Sequence, residues 1–173
     1  MPRFVPLALT AALLCAGGVA VAQTSANASA DAHGGAARVT GQVRHPLTLT
    51  RADLAKYKQH TVKVTYLGGM PAEVLRHHTF SGPLLLDVLS KAGPRFSAGK
   101  NDALGWGILV TGSNNYRALI AWGEIMPELA KTQIVLAISE DGKPLTTPRL
   151  AVPGDKGGGR YVDDVETIRV TGP

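Results

Sequence analysis

The residue types best suited to chemistry are concentrated in Val152-Pro153-Gly154-Asp155-Lys156-Gly157-Gly158-Gly159-Arg160-Tyr161. Successive glycines leave backbone N–H groups accessible and let a ligand approach closely, while Lys156 and Arg160 flank them with positive charge. Such a loop is a workable cradle for a phosphate or an oxygen-rich ligand. It is not a Walker loop, because the lysine precedes the glycines and no Ser or Thr follows it. A glycine hairpin with solvated charges would have the same composition.

Ser113-Asn114-Asn115-Tyr116-Arg117 is the second candidate. Asparagine amides supply donor and acceptor together, and they also tolerate the left-handed backbone of a tight turn. The same pair therefore suits either a ligand edge or the turn alone, and the Tyr116 ring could face a pocket or the core. Arg76-His77-His78 is the third. Adjacent histidines on a strand point to opposite faces, so they seldom share a metal, and no metal site is expected. His33, His45 and His60 fall in a leader and in short connections, and Trp106 and Trp122 are read as core. No Gly-x-Ser-x-Gly elbow is present, so nothing marks a serine hydrolase, and no catalytic residue is assigned.

Thiol chemistry is limited by one fact: the only cysteine is Cys15. It falls in an N-terminal stretch with Arg3 before an apolar run and Ala20-Val21-Ala22 before Gln23, the pattern of a secretory signal peptide cleaved after Ala22. A retained anchor or a lipidated Cys15 are the alternatives, but Leu14 stands where lipidation wants a small residue. Cleavage would leave a chain with no thiol at all, without disulfide, thiolate ligand or cysteine nucleophile. It would also remove Arg3, leaving 17 Lys+Arg against 13 Asp+Glu, a net charge of +4. That mild excess suits a small anionic ligand and is too small to argue for nucleic acid. With 173 residues, 45% of them hydrophobic and 18% charged, there is room for one domain. Those proportions exclude a charge-rich disordered chain and a polytopic membrane protein.

The elements that must position these residues read as follows. Residues 23–37 form a flexible Ala/Ser/Gly leader, and a domain occupies 38–173. Strands are expected over Arg38–Arg44, Thr61–Leu67, Gly105–Thr111, Tyr116–Ala121, Ile134–Ser139 and Leu150–Val152, with a last one over Arg160–Val170. Thr50 with Asp53 predicts a capped short helix ending near Tyr57, and Pro83 opens a second that Gly93-Pro94 stops. One helical turn is expected within Glu124–Leu129, and Asp141-Gly142 is a hairpin turn. The sum is a strand-rich α+β domain with mostly antiparallel pairing and few short helices.

The order of these motifs carries a resemblance. Val39-Thr40-Gly41-Gln42-Val43 comes first, then Phe80-Ser81-Gly82-Pro83-Leu84-Leu85-Leu86-Asp87-Val88-Leu89 and Ala92-Gly93. Val110-Thr111-Gly112, Tyr116-Arg117-Ala118 and Glu124 follow, and Asp141-Gly142-Lys143-Pro144-Leu145, Leu150 to Asp155 and Gly159-Arg160-Tyr161-Val162 close the series. Over about 130 residues this resembles the molybdopterin-binding domain of the sulfite oxidase family in a short exported form. The resemblance implies the mixed α+β sulfite-oxidase fold, a pterin pocket and an oxidoreductase ancestry.

It also implies a cysteine ligand to molybdenum between the Thr61–Leu67 strand and Phe80, where residues 68–78 here contain none. Met70 is a poor anionic substitute for a thiolate. The expectation is therefore a periplasmic, metal-free pterin-binding protein that passes ligand state to a membrane sensor, as some relatives of this short form are understood to do. The pterin, in some cases reduced, is the expected ligand, with Asp155 as carboxylate, Asn114 and Asn115 as amides, Lys156 and Arg160 as cations, and Tyr116 and Tyr161 as stacking faces. A molybdopterin oxidoreductase with non-cysteine ligation and an interaction subunit with an empty pocket are the other two readings.

Overall fold

A computed structural model describes residues 35–69, 74–99 and 101–173. The cleavage site, Cys15, Met70 and most of the expected leader lie outside them. Among the described residues no helix is long and apolar enough to cross a membrane.

The chain builds two sheets. β1 (Ala37–Gly41) and β2 (Leu47–Leu49) lead into α1 (Arg51–Leu54), followed by β3 (His60–Gly68), β4 (Val74–Gly82) and α2 (Leu85–Ala92). Then come β5 (Gly107–Gly112), β6 (Arg117–Ala121), β7 (Val135–Glu140), β8 (Lys143–Ala151) and β9 (Val165–Thr171). One sheet has the order β2-β1-β9-β5-β6 and the other β3-β4-β7-β8. Every pairing is antiparallel except β1 with β9, where the first and last strands run side by side. The fold is α+β, as the residue pattern predicts.

Local chemistry explains most boundaries. Thr50 accepts from the Asp53 backbone N–H at 3.2 Å and Asp53 accepts from the Thr50 N–H at 3.1 Å, closing a capping box on α1. α2 buries Leu85, Val88, Leu89 and Ala92 on one stripe and ends at Gly93, whose φ of 65° needs no Cβ. Asp141 and Gly142 take φ of 49° and 76°, the left-handed pair of a tight hairpin.

Several elements depart from the expectation. β4 is a nine-residue strand over Val74–Gly82 that the sequence reading did not assign. Its Leu75-Arg76-His77 stretch is exposed and lacks alternation. β8 is nine residues long because Pro144 and Pro148 sit on an edge strand, where missing N–H groups leave no ladder partner wanting. The expected Arg160–Val170 strand is split into a 3-10 turn at Gly158–Arg160 and β9, with Asp164 at φ 47° between them. A 3-10 turn at Trp122–Glu124 precedes the turn expected within Glu124–Leu129, where the Leu129 and Ala130 N–H groups donate to the Met126 carbonyl at 3.0 and 2.9 Å.

The main core packs the inner face of the five-stranded sheet on α2 and includes Leu54, Ile108, Ile120, Leu136 and Ile168. Trp106 and Trp122 are both buried, each with the Phe96 ring edge-on at 4.9 Å. A second cluster on the four-stranded sheet joins Val62, Val64, Tyr66, Phe80 and Tyr161. Its upper end forms the floor of the site.

Candidate ligand-binding site

An open cavity of about 680 Å³ lies where the end of β3 meets the glycine loop. That is within the range that holds a small organic ligand. β3 supplies Tyr66, Leu67 and Gly68, with Gly69 just after it; β4 supplies Arg76 and His78. Tyr116 enters from just before β6, Glu140 from β7 and Arg149 from β8. Gly158, Gly159, Tyr161 and Asp163 close the remaining side.

The aromatic wall is a stack. Alternation on β3 turns Tyr66 inward, and its ring lies 4.3 Å from Tyr161 at 25°, near offset stacking. His78 stands 5.9 Å from Tyr66 and 5.7 Å from Phe80. The Tyr161 hydroxyl donates to the Val152 carbonyl at 2.9 Å, so this buried ring has its polar tip satisfied. Burial first, and then the neighbouring Tyr66, push its phenol up to about 12. Tyr66 is raised as well, chiefly by burial. Tyr116 is exposed, and its hydroxyl donates to the Gly159 carbonyl at 2.6 Å, tying β6 to the loop.

The glycine loop is seated by backbone. Leu67 N–H donates to the Lys156 carbonyl at 2.8 Å, and Leu67 and Gly157 form a parallel bridge on the free edge of β3. A Cβ on Gly158 would fall 2.9 Å from the Tyr66 ring, so only glycine lets the loop lie on the tyrosine.

The charged wall is an ion network. Arg149 donates through Nη1 to Glu140 Oε2 at 2.8 Å, its Nε lies 2.5 Å from Asp163 Oδ1, and its guanidinium rides 5.3 Å above Phe80. The Nε–H is poorly aimed at that oxygen and has no well-angled acceptor, so the Asp163 contact is an ion pair rather than a hydrogen bond. His78 Nδ1 is 2.9 Å from both Glu140 Oε1 and Asp141 Oδ2. The Thr79 N–H, which donates to Asp141 Oδ1 at 2.7 Å, holds the Asp141 carboxyl below its ordinary value, with His78 adding to the effect. Arg76 stands at the cavity on exposed strand, and no carboxylate among the described residues pairs with it.

Of the seven residues expected from the sequence, Tyr116 and Tyr161 line this cavity. The other five do not. Asn114 Oδ1 accepts from the Tyr116 N–H at 2.9 Å and Asn115 takes a left-handed φ of 65°, so the one through its side chain and the other through its backbone shape the β5–β6 turn. Lys156 is exposed and contributes its carbonyl to β3. Asp155 and Arg160 hold each other: Nε and Nη2 of Arg160 donate to the two Asp155 oxygens at 2.8 and 2.6 Å, and Nη1 reaches Glu124 at 2.5 Å. Asp155 and then Glu124 raise the guanidinium above its ordinary value. These groups clamp the loop to the Trp122–Glu124 turn.

Tyr66, Glu140, Arg149 and Asp163 were missed by sequence reasoning, and Arg76 and His78 were weighed there only for a metal; the six come from five separate segments. Only the alternation of β3, which puts Tyr66 on the same face as Val62 and Val64, offered an advance indication.

A two-sheet α+β domain with a stacked aromatic wall, a glycine loop and charged groups is the architecture of a domain that holds a flat polar cofactor. The model of the oxidoreductase molybdopterin binding domain matches residues 24–171, and the chain belongs to that family. The fold is also that of the sulfane dehydrogenase SoxCD crystal structure from Paracoccus pantotrophus, with a TM-score of 0.63 at 19% sequence identity. The alignment covers 79% of this chain and 38% of that one, so the chain spans well under half of that relative. No curated protein matches the sequence.

The lining residues fit the organic part of the cofactor and not a cysteine-held metal. Tyrosine faces suit a flat ring, Asp163 and Glu140 suit ring N–H donors, and Arg76 suits a carbonyl or an anionic tail. No lining residue bears a thiol, and the chain's one cysteine is at position 15.

Proposed function

We propose that this protein is an exported pterin-binding member of the molybdopterin-binding family that works without a molybdenum–cysteine centre and reports ligand state to a membrane signalling protein in the periplasm. One observation carries the reading. The cavity retains a pterin-sized volume and stacking wall at the end of β3, while its lining lacks the thiolate that would tune a bound molybdenum. In this reading the Tyr66–Tyr161 pair supplies the apolar face, the Arg149 network fixes Glu140 and Asp163 as acceptors, and Arg76 meets the ligand's electron-rich edge. Export is supported by the Ala20-Val21-Ala22 cleavage pattern, and an enzyme reporter fused after Ala22 and active only outside the cytoplasm would test it.

The decisive experiment is mass spectrometry of the ligand on freshly purified protein, with metal analysis of the same sample. A pterin with no stoichiometric molybdenum is expected. Titration with a reduced pterin should raise the unfolding free energy by about 2.7 kcal/mol at 100 times its dissociation constant. One molybdenum per chain would overturn the proposal.

One observation favours a second reading, an oxidoreductase with non-cysteine ligation. The ligand atoms of His78, Glu140 and Asp141 lie within 4.8 Å of one another beside the cavity. One imidazole nitrogen and two carboxylates so placed offer a metal a set of ligands that needs no thiolate. Retained metal lost on His78→Gln, together with dye-linked turnover of an oxyanion or sulfoxide, would favour this reading.

A further inference from the structure

The outer face of the five-stranded sheet differs from the rest of the surface. Strand register sets Arg38 and Arg117 at the two ends of one row, and Arg169, Leu109 and Leu119 in the next. With neighbouring strands about 4.8 Å apart, the two end arginines stand roughly 14 Å from each other with Arg169 between their strands. All three arginines are exposed, and Leu119, at 62%, is the most exposed large hydrophobic side chain among the described residues. No carboxylate among the described residues lies within ion-pair distance of any of the three. The one acid on these strands, Glu166, is half-buried beside the β9 bulge.

Three like charges on one sheet face repel, and an ordinary solvated surface intersperses the two signs. The cations are also selective: the chain has eight lysines, yet none is on β1, β5, β6 or β9. A surface built for lipid headgroups gains equally from lysine and arginine. Arginine around an exposed leucine, with lysine absent, is instead the composition of a protein interface, where the planar guanidinium pairs bidentately with carboxylates. A second copy of this chain is a poor occupant, because two such faces repel.

We propose that the outer face of the five-stranded sheet, through Arg38, Arg117 and Arg169 around Leu119, docks an acidic surface of a protein partner. The interface stands without the pterin reading. Arg117 directly follows Tyr116, whose ring lines the cavity, so a partner seated there lies beside the cavity rim.

The test uses the full chain, a labelled peptide of mixed glutamate and leucine, and phosphatidylglycerol vesicles as the competing surface. R38Q/R117Q/R169Q should weaken peptide binding about tenfold. R44Q/R51Q/K58Q, which removes the same charge from exposed positions elsewhere, should leave it nearly unchanged. Amide NMR shifts on adding the peptide to the unsubstituted protein should cluster on β1, β9, β5 and β6, and salt should weaken binding. Equal losses in both triple variants, shifts on another face, or vesicle binding that outcompetes the peptide with the same arginine dependence would each overturn the proposal.

Discussion

Arg160 shows how a side chain with a ligand-binding appearance can be committed to the fold. Its donors face Asp155 and Glu124, so Arg160→Ala should lower the unfolding free energy by about 1–2 kcal/mol, a value tempered by the partial exposure of the pair. Urea denaturation checks this, and Asp155→Asn should move the midpoint in the same direction. Tyr161 carries a pH signature. Its phenol titrates at 10.0 unfolded and about 12 folded, so the folded state keeps a proton that the unfolded state loses between these values. Stability from this group is complete below pH 10 and falls as pH rises towards 12. Tyr161→Phe should flatten that alkaline loss, read as unfolding free energy against pH beside the tyrosinate absorbance, and should cost about 1 kcal/mol at neutral pH through the lost hydrogen bond to the Val152 carbonyl.

At the scale of the elements, the site depends on a loop lying flat on a strand. Gly158→Ala puts a methyl against the Tyr66 ring, so the ring or the loop must move. We expect weaker pterin binding and an altered near-ultraviolet dichroism from the Tyr66–Tyr161 pair, with little change at Gly159→Ala, whose Cβ would meet nothing within 4 Å. Element identity was legible in the sequence wherever period or capping was strong. β3 alternates, α1 has its capping box, and α2 ends at glycine. β4 was not legible because its exposed half has no apolar face, and β8 because two prolines suggest a loop until the strand is known to be an edge.

At the scale of the whole molecule, β9 is the keystone of the larger sheet, paired with β1 on one side and β5 on the other. Ile168 on β9 is fully buried, and Ile168→Ala should destabilise the protein by about 2–5 kcal/mol with an unchanged denaturant slope, measured in guanidinium. Composition, alternation and glycine placement were enough to define an α+β class, most of the strands and turns and a glycine loop beside the cavity, because these depend on contacts between residues close in the chain. The missing thiol was also decided there, since no folding can supply a cysteine that the chain lacks outside position 15. Which polar groups meet the cavity was decided only in three dimensions. Tyr66, Arg76, Glu140, Arg149 and Asp163 converge through pairings between distant strands, whereas Asp155 and Arg160, five residues apart, satisfy each other before a ligand can. Local periodicity records which face a side chain takes, but not which distant strand it will face there.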